Sequence, residues 1–302
     1  MRIDPWRSRL LGAAIGVGVD RLVGEPPSAW HPVAHFGRLM GEVERATYRD
    51  RRAAGVGYAL VGLSVGLVAG RIVRSSALAV SLAVAGRALG RAAVAVAAAL
   101  SVGDLVEASR RLPALVGRDP SALDESGVAR AVVESVAENT VDAVVAPVLW
   151  ACLAGAPGAL GYRAVNTMDA MVAHRSVRYQ NFGTASARLD DVANWVPARV
   201  TAALVALARP RATRAIAHAV RVQAPAHPSP NSGVAEAAFA AALGLSLGGP
   251  TAYDGRVEDR PILGAGRAPV AADVAAAVRL SADVSALLAI VLGALALGRV
   301  RS

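Results

Sequence analysis

The sequence predicts an all-α fold, an integral membrane helical bundle whose amphipathic helices and polar loops pack at the membrane surface. Three observations carry this expectation. Apolar residues make up 54% of the 302 residues and charged residues only 18%, against about 45–50% and about 25% in ordinary soluble domains. Several uncharged runs approach the roughly 20 residues that a helix needs to cross the hydrocarbon core. Period-two alternation is scarce, and helical runs dominate. This apolar content excludes a disordered chain. The competing reading is an Ala-rich soluble helical protein. Against it stands the run from Ala53 to Gly70, which is harder to place in a soluble core than in a bilayer.

The elements follow in order. Arg7 and Arg9 precede the apolar stretch Leu10–Val19, which ends at Asp20-Arg21 with no small-residue cleavage site and reads as mature chain. A loop rich in Pro, His and Gly runs from Gly24 to Gly37. Ala53–Gly70 holds 18 uncharged residues, preceded by Arg49, Arg51 and Arg52 and closed by Arg71 and Arg74. It is the best span, with basic flanks that reach lipid headgroups. Ser75–Gly86 and Ala92–Gly103 are separated by Arg87 and Arg91, one helical turn apart, so one helix face is charged.

Residues 104–142 read as amphipathic and soluble, with a turn at Gly117-Arg118-Asp119-Pro120 and a helix start near Ser121–Asp124. Ala143–Tyr162 is uncharged for 20 residues, but Pro147, Gly155, Pro157 and Gly158 would break a regular helix. The proline-rich loop Pro225–Pro230 precedes another Ala-rich helix. Ala237–Tyr253 suggests a buried helix and a turn at Gly248-Gly249-Pro250, and Arg256–Pro269 a polar loop. Val284–Gly298, 15 uncharged residues, is the second span. With no repeat, low-complexity tail or boundary, residues 1–302 read as a single membrane-embedded domain. Arginines flank both sides of the best span and leave its orientation unread.

All 32 basic residues are Arg, against 23 acids, for a net charge of +9. The absence of Lys excludes a Schiff base, a Walker A phosphate loop and any catalytic lysine. A single cysteine, Cys152, excludes an intrachain disulfide, a cysteine zinc site and an iron–sulfur cluster. The arginines are dispersed among apolar runs with few aromatics. Nucleic acid is therefore not the expected partner; anionic lipid headgroups or phosphorylated substrates are.

Polar residues gather in four places. Arg130, Glu134, Glu138 and Asp142 stand four apart and form a drifting helical stripe that runs through Asn139 into the apolar run at Ala143. It is either a solvated face or a set of carboxylates at a membrane boundary, costly unless paired or metal-bound. Arg163, Asn166 and Asp169, spaced by three and followed by His174, Arg175 and Arg178, are a salt-bridged helix end or an oxyanion clamp. Thr184 caps a helix carrying Arg188, Asp190, Asp191 and Asn194, interrupted by Pro197. A magnesium ion needs only one or two such carboxylates with phosphates and water. The Pro228–Gly233 loop, with Asn231 and Ser232, opens a helix with Glu236 in its first turn, an ordinary cap or a phosphate site. His31 lies in the first loop, with Asp20 and Glu25.

These segments together resemble the CobD/CbiB family of cobalamin biosynthesis proteins. The resemblance rests on Val133–Asp142 with Ala146-Pro147, Tyr162–Asp169, Arg178-Tyr179, Phe182-Gly183, Ala187–Asp191, Asn194 and Pro197-Ala198-Arg199. It rests also on Pro228–Gly233 with Glu236-Ala237, Gly248-Gly249-Pro250, and Asp20, Gly24-Glu25-Pro26 and His31-Pro32-Val33. It covers nearly the whole chain in order. Glu25 stands where the family pattern has Asp, and Ser176 and Val177 replace polar residues before Arg178.

The resemblance implies a mostly helical, multi-pass enzyme of the cell membrane with a cytoplasm-facing site. Its reaction would join the propionate of adenosylcobyric acid to aminopropanol or its phosphate as an amide, consuming ATP and needing Mg2+. The expected roles are Glu138, Asp142 and Asp190 or Asp191 for Mg2+, and Arg163, Arg175, Arg178 and Arg188 for phosphate or propionate. Asn139, Asn166, Asn231 and Ser232 would orient substrate, beside Asp169, Tyr179, Asn194 and Glu236, and Glu134 or His31 would be the base. A homo-oligomer or association with other corrin-pathway enzymes is left open. The alternative function is a transporter of a small anionic or corrinoid-related solute. Two convincing spans, long polar helices and no inverted repeat weigh against it.

Overall fold

The computed structural model describes residues 4–26, 29–117, 123–173, 178–253 and 256–298. Its helices are α1 (Pro5–Leu22), α2 (Pro32–Thr47), α3 (Arg52–Val73), α4 (Ser76–Ala83), α5 (Gly86–Ser101), α6 (Leu105–Arg111) and α7 (Glu125–Thr140). They continue as α8 (Ala146–Val172), α9 (Thr184–Ala208), α10 (Thr213–His218), α11 (Ser232–Leu243) and α12 (Ala271–Leu297). Among the described residues one antiparallel pair, β1 (Leu247–Tyr253) with β2 (Arg256–Leu263), accompanies the helices of an essentially all-α fold.

Four helical segments among the described residues are long and apolar enough to cross a membrane: Arg52–Val73, Ser76–Ser101, Glu125–Val172 and Ala271–Leu297. That corrects the expectation of two. The extra two are the segments whose apolar runs the sequence interrupts, one by Arg87 and Arg91 and the other by Pro147, Gly155, Pro157 and Gly158. α3 contains the best span and exposes Val56, Leu60, Val61, Val68 and Ile72, the face that hydrocarbon would cover.

The described residues gather into two compact units. Unit 1 draws on residues 1–85, 142–194 and 288–302, and unit 2 on residues 86–141 and 195–287. In unit 1, α3 packs on α8 through glycines four apart. A Cβ at Gly62 would strike the Met168 sulfur, one at Gly66 the Leu160 carbonyl and Ala164, and one at Gly70 the Pro157 backbone. Small residues at this spacing let membrane helices approach to backbone contact. Met40, Tyr58, Val165, Met168, Val172 and Phe182 form a buried cluster, which Gly62 meets at Met40 and Met168. The predicted break in α8 is present: Gly155 adopts φ +66°, the left-handed region that favours glycine, two residues before Pro157.

In unit 2, α7 packs against α5, α11 and β1. It is buried along most of its length, Glu134 included, and not amphipathic as its charge pattern suggests. The charges on its stripe are turned into polar contacts inside the protein. Asp124 caps it, accepting from the Gly127 amide at 2.7 Å; of the turn expected at Gly117-Arg118-Asp119-Pro120, the last three residues lie outside the described residues.

Four further expectations are corrected. α2 begins at Pro32, so the first loop ends at His31, whose ring caps the helix. Thr184 opens α9, but its Oγ1 donates back to the Gln180 carbonyl at 3.1 Å instead of accepting a helix amide. Pro197 lies inside α9, which continues through it. The turn at Gly248 and the loop after Arg256 belong to a hairpin in which Leu247 faces Leu263, both fully buried. Gly248 and Gly249, at φ +83° and +84°, form a bulge where the register shifts. Strands this short, broken by glycine and proline, lack the alternation that reveals a strand.

Gly66 and Gly57 share α3, and a Cβ at Gly57 meets nothing within 4 Å. Gly57→Ala should be neutral or raise stability by about 0.5–1 kcal/mol. Gly66→Ala should lower it by about 1–3 kcal/mol through overpacking. Thermal melting of both variants in detergent checks the difference in sign.

Candidate functional site

Each unit holds one polar network among the sequence-predicted residues. In unit 1, α8 presents Tyr162, Arg163 and Asn166 within two turns, and α9 presents Asp190 and Asn194 one turn apart. Tyr162 donates to Asn194 Oδ1 at 2.8 Å, and Asn194 Nδ2 donates to Asp190 Oδ2 at 2.9 Å. Asn166 Nδ2 donates to Asp190 Oδ1 at 3.3 Å, and Arg163 Nη1 to Asn166 Oδ1 at 3.4 Å. Two side-chain amides thus hold both oxygens of one carboxylate, and a guanidinium terminates the chain. Asn194 is 2% exposed. Asp142 lies within electrostatic reach of Tyr162, as Asp190 does. The Arg163 Nε is buried without a hydrogen-bond partner.

The other predicted residues of unit 1 are placed as follows. His31 Nδ1 accepts the Val33 amide at 3.2 Å, which puts the proton of the neutral ring on Nε2, 3.8 Å from Glu25 Oε2. Burial, and secondly the charge of Arg163, lowers its pKa, so the ring is neutral and its accepting nitrogen engaged. Asp169 is half-buried, three residues beyond Asn166. Arg178 and Tyr179 both bind Glu44, at 3.0 and 2.8 Å, and the Arg178 guanidinium lies 4.0 Å over the Tyr48 ring. That clamp engages the polar ends predicted to hold substrate. Arg188 is exposed, and its charge partly offsets the burial that raises the Asp191 pKa. Arg175, with His174, lies outside the described residues.

In unit 2, successive turns of α7 present Arg130, Glu134 and Glu138. Arg130 Nη1 donates to the Gly248 carbonyl at 2.6 Å while Glu134 Oε1 accepts the Gly248 amide at 2.8 Å, so the pair holds both polar groups of one residue. Glu138 Oε1 accepts the Ser232 hydroxyl at 2.7 Å, and its Oε2 has no hydrogen-bond partner among the described residues. The Ser229 hydroxyl accepts the amides of Asn231 and Ser232 at the start of α11. Asn231 Oδ1 accepts from Arg199, whose guanidinium lies 4.4 Å over the Trp195 ring. Asn139 turns back onto Ser135, donating to its carbonyl at 2.9 Å. Glu236 lies in the second turn of α11, not the first. It is 1% exposed, with its Oε2 3.8 Å from His227 Nε2.

Sequence reasoning missed Tyr162, Arg199 and His227 as members of these networks. Tyr162 and Arg199 lie inside the segments that carry the family resemblance, Tyr162 next to Arg163 and Arg199 five residues beyond Asn194. His227 carried a signal only in its place at the head of the Pro228–Gly233 loop.

Burial is the largest influence on His227, and it lowers the ring's pKa. The Arg260 charge acts the same way, against a hydrogen bond to Ser229 and the charges of Glu138 and Glu134. The unfolded chain binds this proton near pH 6.5 and the folded chain at lower pH, so the stabilisation is complete above that value and is lost as pH falls below it. Between about pH 7.5 and about pH 5 the wild type should lose more thermal stability than His227→Gln. Melting curves of both in one detergent check it; equal losses contradict the buried neutral ring.

Comparison with known proteins places the chain in one family. The model of the CobD/Cbib protein family matches residues 13–281. A Cobalamin biosynthesis protein CobD from Mycobacterium tuberculosis (strain CDC 1551 / Oshkosh) is 47% identical over 301 residues, 95% of each chain. Those of Chromobacterium violaceum and Rhodobacter capsulatus are 42% and 40% identical, over 88% and 93% of this chain and 90% and 96% of theirs. No solved structure matches. The chain belongs to the CobD/Cbib family of cobalamin biosynthesis proteins.

Proposed function

We propose that the protein is an ATP- and Mg2+-dependent acid–amine ligase. It joins the propionate carboxylate of adenosylcobyric acid to the amine of aminopropanol phosphate. The observation that carries this reading is the Asp190 carboxylate, held by the amides of Asn166 and Asn194 beside Arg163. The family supplies the pathway, and this network has the chemistry that a phosphate-activated ligation requires.

The γ-phosphoryl group of ATP passes to a propionate oxygen, giving an acyl phosphate and ADP. The amine nitrogen attacks the acyl carbon, the C–N bond forms, the C–O bond to phosphate breaks, and the amine proton passes to a base. Arg163 binds oxyanions through a planar fork and supports both the phosphoryl group and the carboxylate. Among the described residues no three His, Cys, Asp or Glu side chains converge on one metal position. Magnesium needs fewer protein ligands, one or two carboxylates with substrate phosphates and water, and Asp190 with Asp142 fits that donor set. Bound there, the ion would neutralise phosphate charge. Of the predicted bases, His31 has its accepting nitrogen engaged by the Val33 amide, and Glu134 has Oε1 engaged by the Gly248 amide.

The test is product formation by the purified protein in detergent or lipid, read by mass spectrometry with and without ATP. An ATP-dependent adduct with the mass of the two substrates less water is expected. Asp190→Asn and Arg163→Gln should each lower kcat/KM about 100-fold or more. No adduct from folded protein, with ATP-independent uptake of corrinoid into proteoliposomes, would replace the ligase with the transporter.

A further inference from the structure

A proline inside a helix has no amide to give the carbonyl four residues earlier, and its ring crowds that carbonyl. Pro197 therefore leaves the Ala193 carbonyl without its helical donor. The Trp150 Nε1–H supplies one instead, at 3.1 Å. Its neighbour Asn194 accepts from Tyr162 and donates to Asp190. Consecutive residues of α9 are thus held by positions 150 and 162 of α8. On a straight helix those positions stand about 18 Å apart along the axis, beyond the joint reach of the two side chains. The left-handed turn at Gly155 breaks that axis between them. A Cβ at Gly158 would strike the Trp150 carbonyl, so the two limbs of α8 approach to backbone contact there.

Resting on the ligase reading above, we infer that Trp150 is a positioning residue for Asp190. It occupies the carbonyl that Pro197 frees and so fixes α9 at the turn that presents Asp190 and Asn194. Trp150 touches neither carboxylate nor guanidinium of the network and acts through the backbone of residue 193. The α8 kink exists in this arrangement to bring the indole and the Tyr162 hydroxyl to adjacent residues. A ring that merely filled space would need no N–H, and this distinction makes the inference testable.

The experiment is a double-mutant cycle on the full-length protein in detergent. Trp150→Phe keeps the aromatic ring and removes the donor. Pro197→Ala restores an amide four residues after Ala193, which takes the carbonyl within the helix. Trp150→Phe should lower kcat about 10- to 100-fold with a smaller change in KM for ATP, and should speed amide hydrogen exchange at residues 190–194. Adding Pro197→Ala to it should recover most of both losses, and Trp150→His, which keeps a ring N–H, should lose less than Trp150→Phe. A double variant as impaired as Trp150→Phe alone, or equal losses in Trp150→His and Trp150→Phe, would overturn the inference and leave only packing. Hydrogen exchange is read without substrates. If the wild type forms no product, the ligase reading falls, while exchange in the same cycle still decides the role of Trp150.

Discussion

Ionised side chains next to hydrocarbon are costly, by several kcal/mol for each buried ion after relaxation, unless charge and hydrogen bonds compensate them inside the protein. The two networks meet this constraint differently. In unit 1 a single carboxylate is held by two neutral amides and reaches its guanidinium through one of them. The two amides orient Asp190 through both of its oxygens. In unit 2, Arg130 and Glu134 are engaged by the polar groups of Gly248, and their charges serve the hairpin. The same residue types, one helix apart in the sequence, therefore do different work.

Backbone irregularity is what places these side chains. Gly248 can adopt φ +83° only without a side chain, and a Cβ there would strike the Pro261 carbonyl. The Gly62, Gly66 and Gly70 spacing closes α3 onto the limb of α8 that carries Tyr162, Arg163 and Asn166. Each irregular position costs some local stability and directs a side chain that a regular helix would point elsewhere.

Much of this was legible in the sequence, for reasons that particular residues make clear. The α3 span needed only length and the absence of charge between Arg52 and Arg71. Asn166, Asp190 and Asn194 could be singled out because amides and carboxylates beside apolar runs demand partners. The partners themselves were not legible, since which residues meet depends on the kink at Gly155 and the contact between α8 and α9. Arg178 and Tyr179 look like an anion clamp until Glu44, 134 residues earlier, is seen to bind them both. The hairpin hid because pairing with a distant strand, not local propensity, makes Arg256–Leu263 extended. The glycines at 62, 66 and 70 stand four apart in the sequence, a spacing that marks a close-packing stripe.

The acyl phosphate that we propose for this reaction leaves an isotopic trace. With adenosylcobyric acid carrying oxygen-18 in its propionate carboxylate, one labelled oxygen should leave with phosphate when the amide forms. Inorganic phosphate released by the purified protein with ATP, Mg2+ and aminopropanol phosphate should therefore carry a single oxygen-18. Amide product accompanied by unlabelled phosphate, or by label in AMP, would contradict activation through an acyl phosphate.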